Sequence, residues 1–297
     1  MVSCIFETNL LTGTERIIFG VLYSLLSVMG TFGNIRSFQC LVGDESNNNN
    51  NTNIILRSLV FSDIVVSLTG LPFLSFRMLY DSSLGKLCEF DVVFAYVNVM
   101  ATITSSLTVL LLAVDRYLLL AYHHNSWMTT KRVKLFLALI WVTSVCCCAL
   151  IFFQVKVFAA VRFFFYLTAF IGHVFSYLLV LRAVRQSRAN VVRHQENTQA
   201  SQQSRQQQEN ALKDRAMQRR VTLKVMVVIV VYYLTFAPMM VLAILLATGL
   251  TFKELSRQIV LLLLLANSSL NPIVYIALDE RFRNRFFPRW LLCRHEE

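Results

Sequence analysis

Long apolar runs separated by short polar connections set the pattern of this chain. Seven of them reach the roughly 20 residues that a helix needs to cross ~30 Å of hydrocarbon, at 17–41, 54–79, 89–121, 133–154, 158–184, 221–247 and 256–278. The expectation is an all-α membrane protein, a seven-transmembrane helix bundle with a short amphipathic cytoplasmic helix after the seventh span. The second and third runs are longer than a span requires and hold polar residues. The break between the fourth and fifth is the weakest in the pattern, and a six-span reading stays open there.

Composition supports a membrane protein. Of 297 residues 56% are hydrophobic and 15% charged, and the mean hydropathy is +0.56, leaving too few charges for a soluble domain of this size. Twenty of the 28 Lys and Arg residues fall on the side that holds the loop at about 185–220 and the C-terminus. The excess of basic residues on the cytoplasmic side puts the N-terminus outside. The domain layout expected is an extracellular N-terminus at 1–16, a helix bundle at 17–278 and an amphipathic helix with cytoplasmic tail at 279–297. The net charge of +11 then reflects orientation and attraction to anionic lipid. Nucleic acid is not an expected partner, because no basic patch is interleaved with an aromatic platform. "MVSCIFETNLLTGTER" lacks the basic start and apolar centre of a removable signal peptide, so the first span is expected to direct insertion. The sequon Asn50-Asn51-Thr52 falls on the inside and should stay unglycosylated. The Gln- and Arg-rich stretch 185–220 fits either helix extensions or disorder. No repeat suggests a transporter built from two halves.

Polar residues inside the membrane are costly and need a use. They are Asn34, Arg36, Asp63, Ser105, Asp115, Arg116, His173, Asn267, Ser268, Ser269 and Asn271. Ordinary roles suffice for three: a buried hydrogen bond for His173, a helix contact for Ser105, and snorkelling to the inner surface for Arg36. Asp63, in the middle of "SLVFSDIVVSLTGLPF", is too far from either end to reach water. Asp115 and Arg116 in "LLLAVDRYLLLAY" pose a separate problem. Neighbours on a helix point about 100° apart, so the two are not a surface pair at the favourable three- or four-residue spacing.

Asn34 in "GNIRS", Asp63 in "LVFSD", "DRY" at 115–117, Trp141 in the fourth run, Pro238 in the sixth and "NPIVY" at 271–275 stand in order across the seven runs. In that order and spacing they resemble the rhodopsin-like G-protein-coupled receptors. The nearer likeness is to the group of melanocortin, adenosine, cannabinoid and lysophospholipid receptors. "AVDRYLLLAYHHNSWMTTKRV" resembles the melanocortin form of this loop, and so do the near-absent fourth-to-fifth loop and Ala169 where a fifth-span proline is usual. The resemblance implies a plasma-membrane receptor, not an enzyme, that passes binding of an extracellular ligand to a heterotrimeric G protein. It implies that Asp115 holds Arg116 in the resting state, with Tyr117 completing the motif. Tyr177 and Tyr275 would meet on activation, Asn271 and Pro272 would belong to the same switch, and Pro238 would hinge the sixth helix beside Phe236. Asp63, Ser105, Asn267, Ser268 and Asn271 would hold a sodium ion, as hard oxygen donors can.

Departures from the family pattern bear on function. Phe236 replaces the usual Trp, and Gln218 stands where many relatives have an acid. Cys88 lies three residues before the usual third-helix cysteine, which leaves Cys4–Cys88 as the candidate disulfide; Cys293 is the candidate palmitoylation site. Asn98 occupies the place of the amine-receptor Asp, which argues against a monoamine. Leu265 occupies the place of the retinal lysine, so no Schiff base can form and no retinal is expected. Of the three melanocortin carboxylates only Asp91 is matched, Phe73 and Ala95 taking the other places, so neither calcium nor peptide carries over. Phe94, Phe153, Phe163, Phe164 and Phe236 would suit an apolar ligand, or else face lipid. The alternative function is a seven-helix transporter or ion pump with Asp63 and Asp115 as carriers, although "VVFAYVNVMATIT" offers little polar path.

Overall fold

A computed structural model describes residues 11–43, 50–80, 88–121, 128–149, 164, 167–168, 170–186, 222, 225–245, 250, 252–278 and 280–287. The described residues form α1 (Gly13–Val42), α2 (Asn51–Leu79), α3 (Cys88–Ala121), α4 (Thr130–Ala149), α5 (170–186), α6 (Val225–Leu245), α7 (Glu254–Leu278) and α8 (Glu280–Phe286), and they contain no strand. Six of these, α1 to α4 with α6 and α7, are long and apolar enough to cross a membrane. The helix α5 overlaps the fifth apolar run, so each of the seven runs yields a helix, and the six-span reading falls. Thr12 sets the start of α1 by a capping box: its backbone N–H donates to Glu15 Oε2 at 2.8 Å and its hydroxyl accepts from the Glu15 N–H.

The bundle turns large apolar side chains outward and buries polar residues within its apolar core. On α1, Ile17, Leu25, Val28 and Phe32 are exposed, while Asn34 and Ser37 on the other face are fully buried. That inversion is what lipid selects, since hydrocarbon gives no hydrophobic drive between helices and polar or small residues hold them together. Gly30 and Gly33 supply the close approach: a Cβ on Gly30 would collide with Ser67 and Ser269, and one on Gly33 would lie 2.9 Å from Pro272 Cγ.

Prolines in α2 and α7 leave carbonyls without their N–H donors, and α1 supplies replacements. Around Pro72 the helix α2 widens into a π turn over Val66–Gly70, in which the Leu71 N–H reaches Val66 O. The carbonyl of Ser67, five residues before the proline, accepts from Ser27 Oγ of α1 at 2.9 Å. In α7 Pro272 strands the carbonyl of Ser268, four residues back, and Asn34 Nδ2 donates to it at 2.8 Å. Ser269 Oγ returns a bond to Leu26 O at 2.8 Å, and Ser75 Oγ bonds Gly20 O at the same distance. Arg36 does more than snorkel: its Nε and Nη2 donate to the carbonyls of Phe286 and Arg285 at the end of α8, beside a Phe32–Phe286 edge contact at 6.3 Å.

Removing the Asn34 amide leaves a buried carbonyl unpaired, a cost of about 1–3 kcal/mol. Asn34→Ala is therefore expected to melt several degrees below the wild type in a thermal-shift assay of purified protein, whereas Ile35→Ala, on the lipid face, should melt close to it. Equal melting of Asn34→Ala and wild type would remove this bond from the account of the fold.

Candidate functional site

Three polar centres lie along the bundle. The first surrounds Asp63, fully buried on α2. Its Oδ1 accepts from Ser105 Oγ of α3 at 3.4 Å and its Oδ2 from Asn271 Nδ2 of α7 at 2.7 Å. Ser268 is buried alongside, whereas the amide oxygen of Asn267 is turned to α6 and accepts from Thr235 Oγ1 at 3.4 Å. Ser67 Oγ, one turn beyond Asp63, and Asn271 Oδ1 are buried without a partner among the described residues. One carboxylate among neutral oxygens, some with free lone pairs, suits a small monovalent cation. Among the described residues no three His, Cys, Asp or Glu side chains gather to hold a metal ion.

The second centre answers the question raised by Asp115 and Arg116. Arg116 bends back so that Nη2 and Nε lie 2.6 and 3.2 Å from Asp115 Oδ2, with both side chains buried near the C-terminal end of α3. The same carboxylate oxygen accepts from Thr52 Oγ1 of α2 at 3.2 Å, a partner that the sequence did not suggest. Thr52 belongs to a clasp at the head of α2. The Asn50 side chain caps the helix by accepting the Thr52 N–H, Asn51 Nδ2 donates to Met128 O, Thr130 Oγ1 donates to Asn51 Oδ1, and Asn53 Nδ2 donates to Leu41 O. The asparagine-rich run is thus a fastening between α1, α2, α3 and the segment leading into α4. Tyr117 packs against the cluster of Val180, Ala183, Val184 and Met226 that joins α5 to α6, as Tyr177 does.

The third centre lies around α6. Phe236 is buried and stacks on Tyr232 with centroids 5.0 Å apart. Pro238 lies one turn before the end of the buried run on α6, and Thr235 Oγ1 lies 3.0 Å from the carbonyls of both Val231 and Tyr232 within the helix. Tyr275 packs edge-on to Phe282 of α8 at 5.8 Å, with its hydroxyl buried and unpartnered. Trp141 donates to Ser58 Oγ at 3.1 Å, linking α4 to α2.

The expected ligand residues do not form one group. Phe94 stacks on Phe73 at 4.1 Å beside a cleft of about 400 Å³ between α2 and α3, lined also by Leu68, Pro72, Phe76 and Phe90. Asn98 packs against Gly70, where there is no room for a Cβ, and its Nδ2 donates to Phe94 O at 2.8 Å. Phe236 belongs to the separate α3–α6 core, and Phe164 is 64% exposed. Leu265 is buried among apolar side chains. Cys4, Phe153, Phe163, Ala169, Gln218 and Cys293, and the side chains of Cys88 and Asp91, lie outside the described residues, as do most of 185–220 and 288–297.

A family model described as 7 transmembrane receptor (rhodopsin family) matches residues 39–162 and 154–275, and the chain belongs to that family. It is a G-protein-coupled receptor of the rhodopsin class, a signalling protein and not an enzyme, and the transporter alternative is set aside. The crystal structure of squid rhodopsin is similar in fold, with a TM-score of 0.81 at 15% identity over 95% of this chain and 88% of that one. A search of curated proteins gives no match.

The ion pair makes a graded prediction. Asp115→Ala leaves a guanidinium buried without its carboxylate and is expected to cost ~3–5 kcal/mol. Thr52→Val removes one neutral donor and should cost about 1 kcal/mol. Thermal melts of the two purified variants should fall in that order, and a smaller loss for Asp115→Ala than for Thr52→Val would contradict the buried pairing.

Proposed function

We propose that the receptor rests with Arg116 held by Asp115, whose carboxylate is itself held by Thr52, and signals when Arg116 is released toward a heterotrimeric G protein. The observation that carries this reading is the buried Asp115 carboxylate, shared by Arg116 and Thr52 near the C-terminal end of α3. A pair shielded from water is worth more than an exposed one and can bias a two-state equilibrium. In this reading Pro238 hinges α6, Phe236 is its aromatic switch, and Tyr177 and Tyr275 approach each other as Asn271 and Pro272 rearrange. The basic inner side supports a plasma-membrane receptor with extracellular N-terminus and cytoplasmic C-terminus.

Within the family, the third-helix loop sequence and Ala169 support a place near the melanocortin receptors. The extracellular ligand in this reading is apolar, meets Phe94 on α3, and is not retinal. Asp63, Ser105, Ser268 and Asn271, with Asn267 from the α6 side, would hold a sodium ion whose charge offsets that of the buried carboxylate. The unpartnered Ser67 Oγ and Asn271 Oδ1 support that fit.

Cells expressing the wild type, Arg116→Ala or Asp115→Asn, without added ligand, test the switch. Basal G-protein activation should be abolished in the first variant and raised in the second at matched surface expression. Unchanged activation in both would refute it. The ion is tested separately on purified protein. A cation that binds only the folded state raises its melting temperature with concentration, so exchanging N-methylglucamine chloride for sodium chloride should stabilise the wild type but not Asp63→Asn. An equal response in both would remove sodium from this centre.

A further inference from the structure

The cleft of about 400 Å³ between α2 and α3 opens onto the surface of the bundle that faces lipid. Leu68, Phe76 and Phe90 on its rim are exposed, whereas Phe73 behind them is buried. The shape of the cleft comes from α2. The π turn over Val66–Gly70 fits more residues into one turn than an α-helix does, and Pro72 just beyond it has no N–H to draw the helix tight. At Gly70, α2 meets Asn98 of α3 with no room for a Cβ. The aromatic wall stands on the outer side of that contact, with Phe73 and Phe76 on α2 and Phe94 and Phe90 on α3.

Chemistry and shape narrow what the cleft takes. Its lining is hydrocarbon except for Thr69, whose hydroxyl proton is already given to Val65 O at 2.7 Å. A headgroup, peptide or sugar would therefore lose its water there and find no free donor among the lining side chains. Along α2 the lining runs from Leu68 to Phe76, eight steps of ~1.5 Å or roughly 12 Å, which is most of the ~15 Å of hydrocarbon in one leaflet. The slot thus runs with the helix, in the direction of the lipid chains around it. At its outer end Phe76 stacks on Tyr80 at 4.5 Å, and Tyr80 is exposed just past the end of α2, where a ring with a polar tip sits at headgroup level. Hydrocarbon solvates every apolar surface alike, so a preference for one place comes from packing. A chain in a slot walled by rings touches more atoms than one lying on a convex helix.

We propose that the α2–α3 cleft is a lipid site that seats one acyl chain of an outer-leaflet phospholipid, with the headgroup beside Tyr80. The site rests on the membrane orientation proposed above and goes beyond the ligand reading, which asks only that an apolar molecule meet Phe94. The seated chain lies against the Phe73–Phe94 pair, so it holds α2 and α3 at a set spacing on the outer side of Gly70.

The test uses the full chain in phosphatidylcholine nanodiscs doped with a phosphatidylcholine that carries a diazirine on one acyl chain. After irradiation, mass spectrometry of the peptides counts adducts on Leu68, Phe76 and Phe90, and on Ile17, Val21 and Leu25, which are exposed on the outer half of α1. Adducts at the cleft should exceed those on α1 several-fold and should level off as the probe fraction rises. Leu68→Trp puts a larger ring into the slot from an exposed position and should bring Phe76 and Phe90 down to the level of α1. Phe90→Ala, which removes one wall, should lower labelling of Phe76, and Leu25→Trp should leave the cleft as it was. Equal labelling of the two surfaces, rising in proportion to the probe, would mean ordinary lipid contact and overturn the site. Excess labelling that survives both Leu68→Trp and Phe90→Ala would overturn it as well. Displacement of the probe by a trace of free oleate would give the cleft to a free single-chain amphiphile and overturn the phospholipid as its occupant. None of these readings involves the G protein, so the site and the proposed switch fail separately.

Discussion

A proline inside a transmembrane helix withdraws one N–H from a medium that offers no replacement, and much of this bundle follows from how that loss is made good. Helix α1 answers it twice, with Ser27 on the Ser67 carbonyl before Pro72 and Asn34 on the Ser268 carbonyl before Pro272. Because the replacements come from the same helix, α1 fixes α2 and α7 with respect to each other. The facing residues of those two helices, Asp63 and Asn271, are thereby brought within 2.7 Å. Small side chains are a condition of the arrangement, since Gly30 and Gly33 let α1 come close enough for short donors to reach.

From that fixed half of the molecule the polar interior continues towards the other helices by single links. Ser105 ties Asp63 to α3, Asn267 meets Thr235 on α6, and Ser106 begins the connection to α5. The contacts on the α1–α2–α7 side are mostly backbone carbonyls met by short side chains, which leave little freedom. Those on the α5–α6 side run more often between side chains, with rotatable hydroxyls at Tyr232, Ser106 and Thr235. A bundle so divided has a rigid half and an adjustable half, which suits a protein that must keep its shape while one side moves.

Much of the architecture was legible in the sequence because the bilayer imposes a length on every span, and the seven runs coincide with the helices to within a few residues where both ends are described. The meeting of Asp63, Ser105 and Asn271 was legible only through the family resemblance, since these residues lie on three helices. Thr52 was not legible at all. Beside an asparagine run it reads as part of a sequon, and its partner Asp115 is 63 residues away. The π turn in α2 was likewise hidden, because Pro72 announces a disturbance without saying whether the helix kinks or widens. Asn98 was read as a ligand contact from its place on α3, yet its orientation is fixed by Gly70 on the neighbouring helix. Arg36 was read as a lone cation near the surface, because a backbone carbonyl partner leaves no mark in sequence.

The clasp at the head of α2 has a bearing on how this gene can change. Residues 47–51 are five identical asparagines, of which Asn50 is the cap and Asn51 bonds Met128 and Thr130. If the run lengthens or shortens by one, whichever asparagines come to stand before Thr52 inherit both roles, and Thr52 still reaches Asp115. The change falls on the length of the connection from α1, which chain entropy tolerates at small cost. The repeat thus works as a slip joint: variation in its length is absorbed upstream, while the register of every residue after it is preserved.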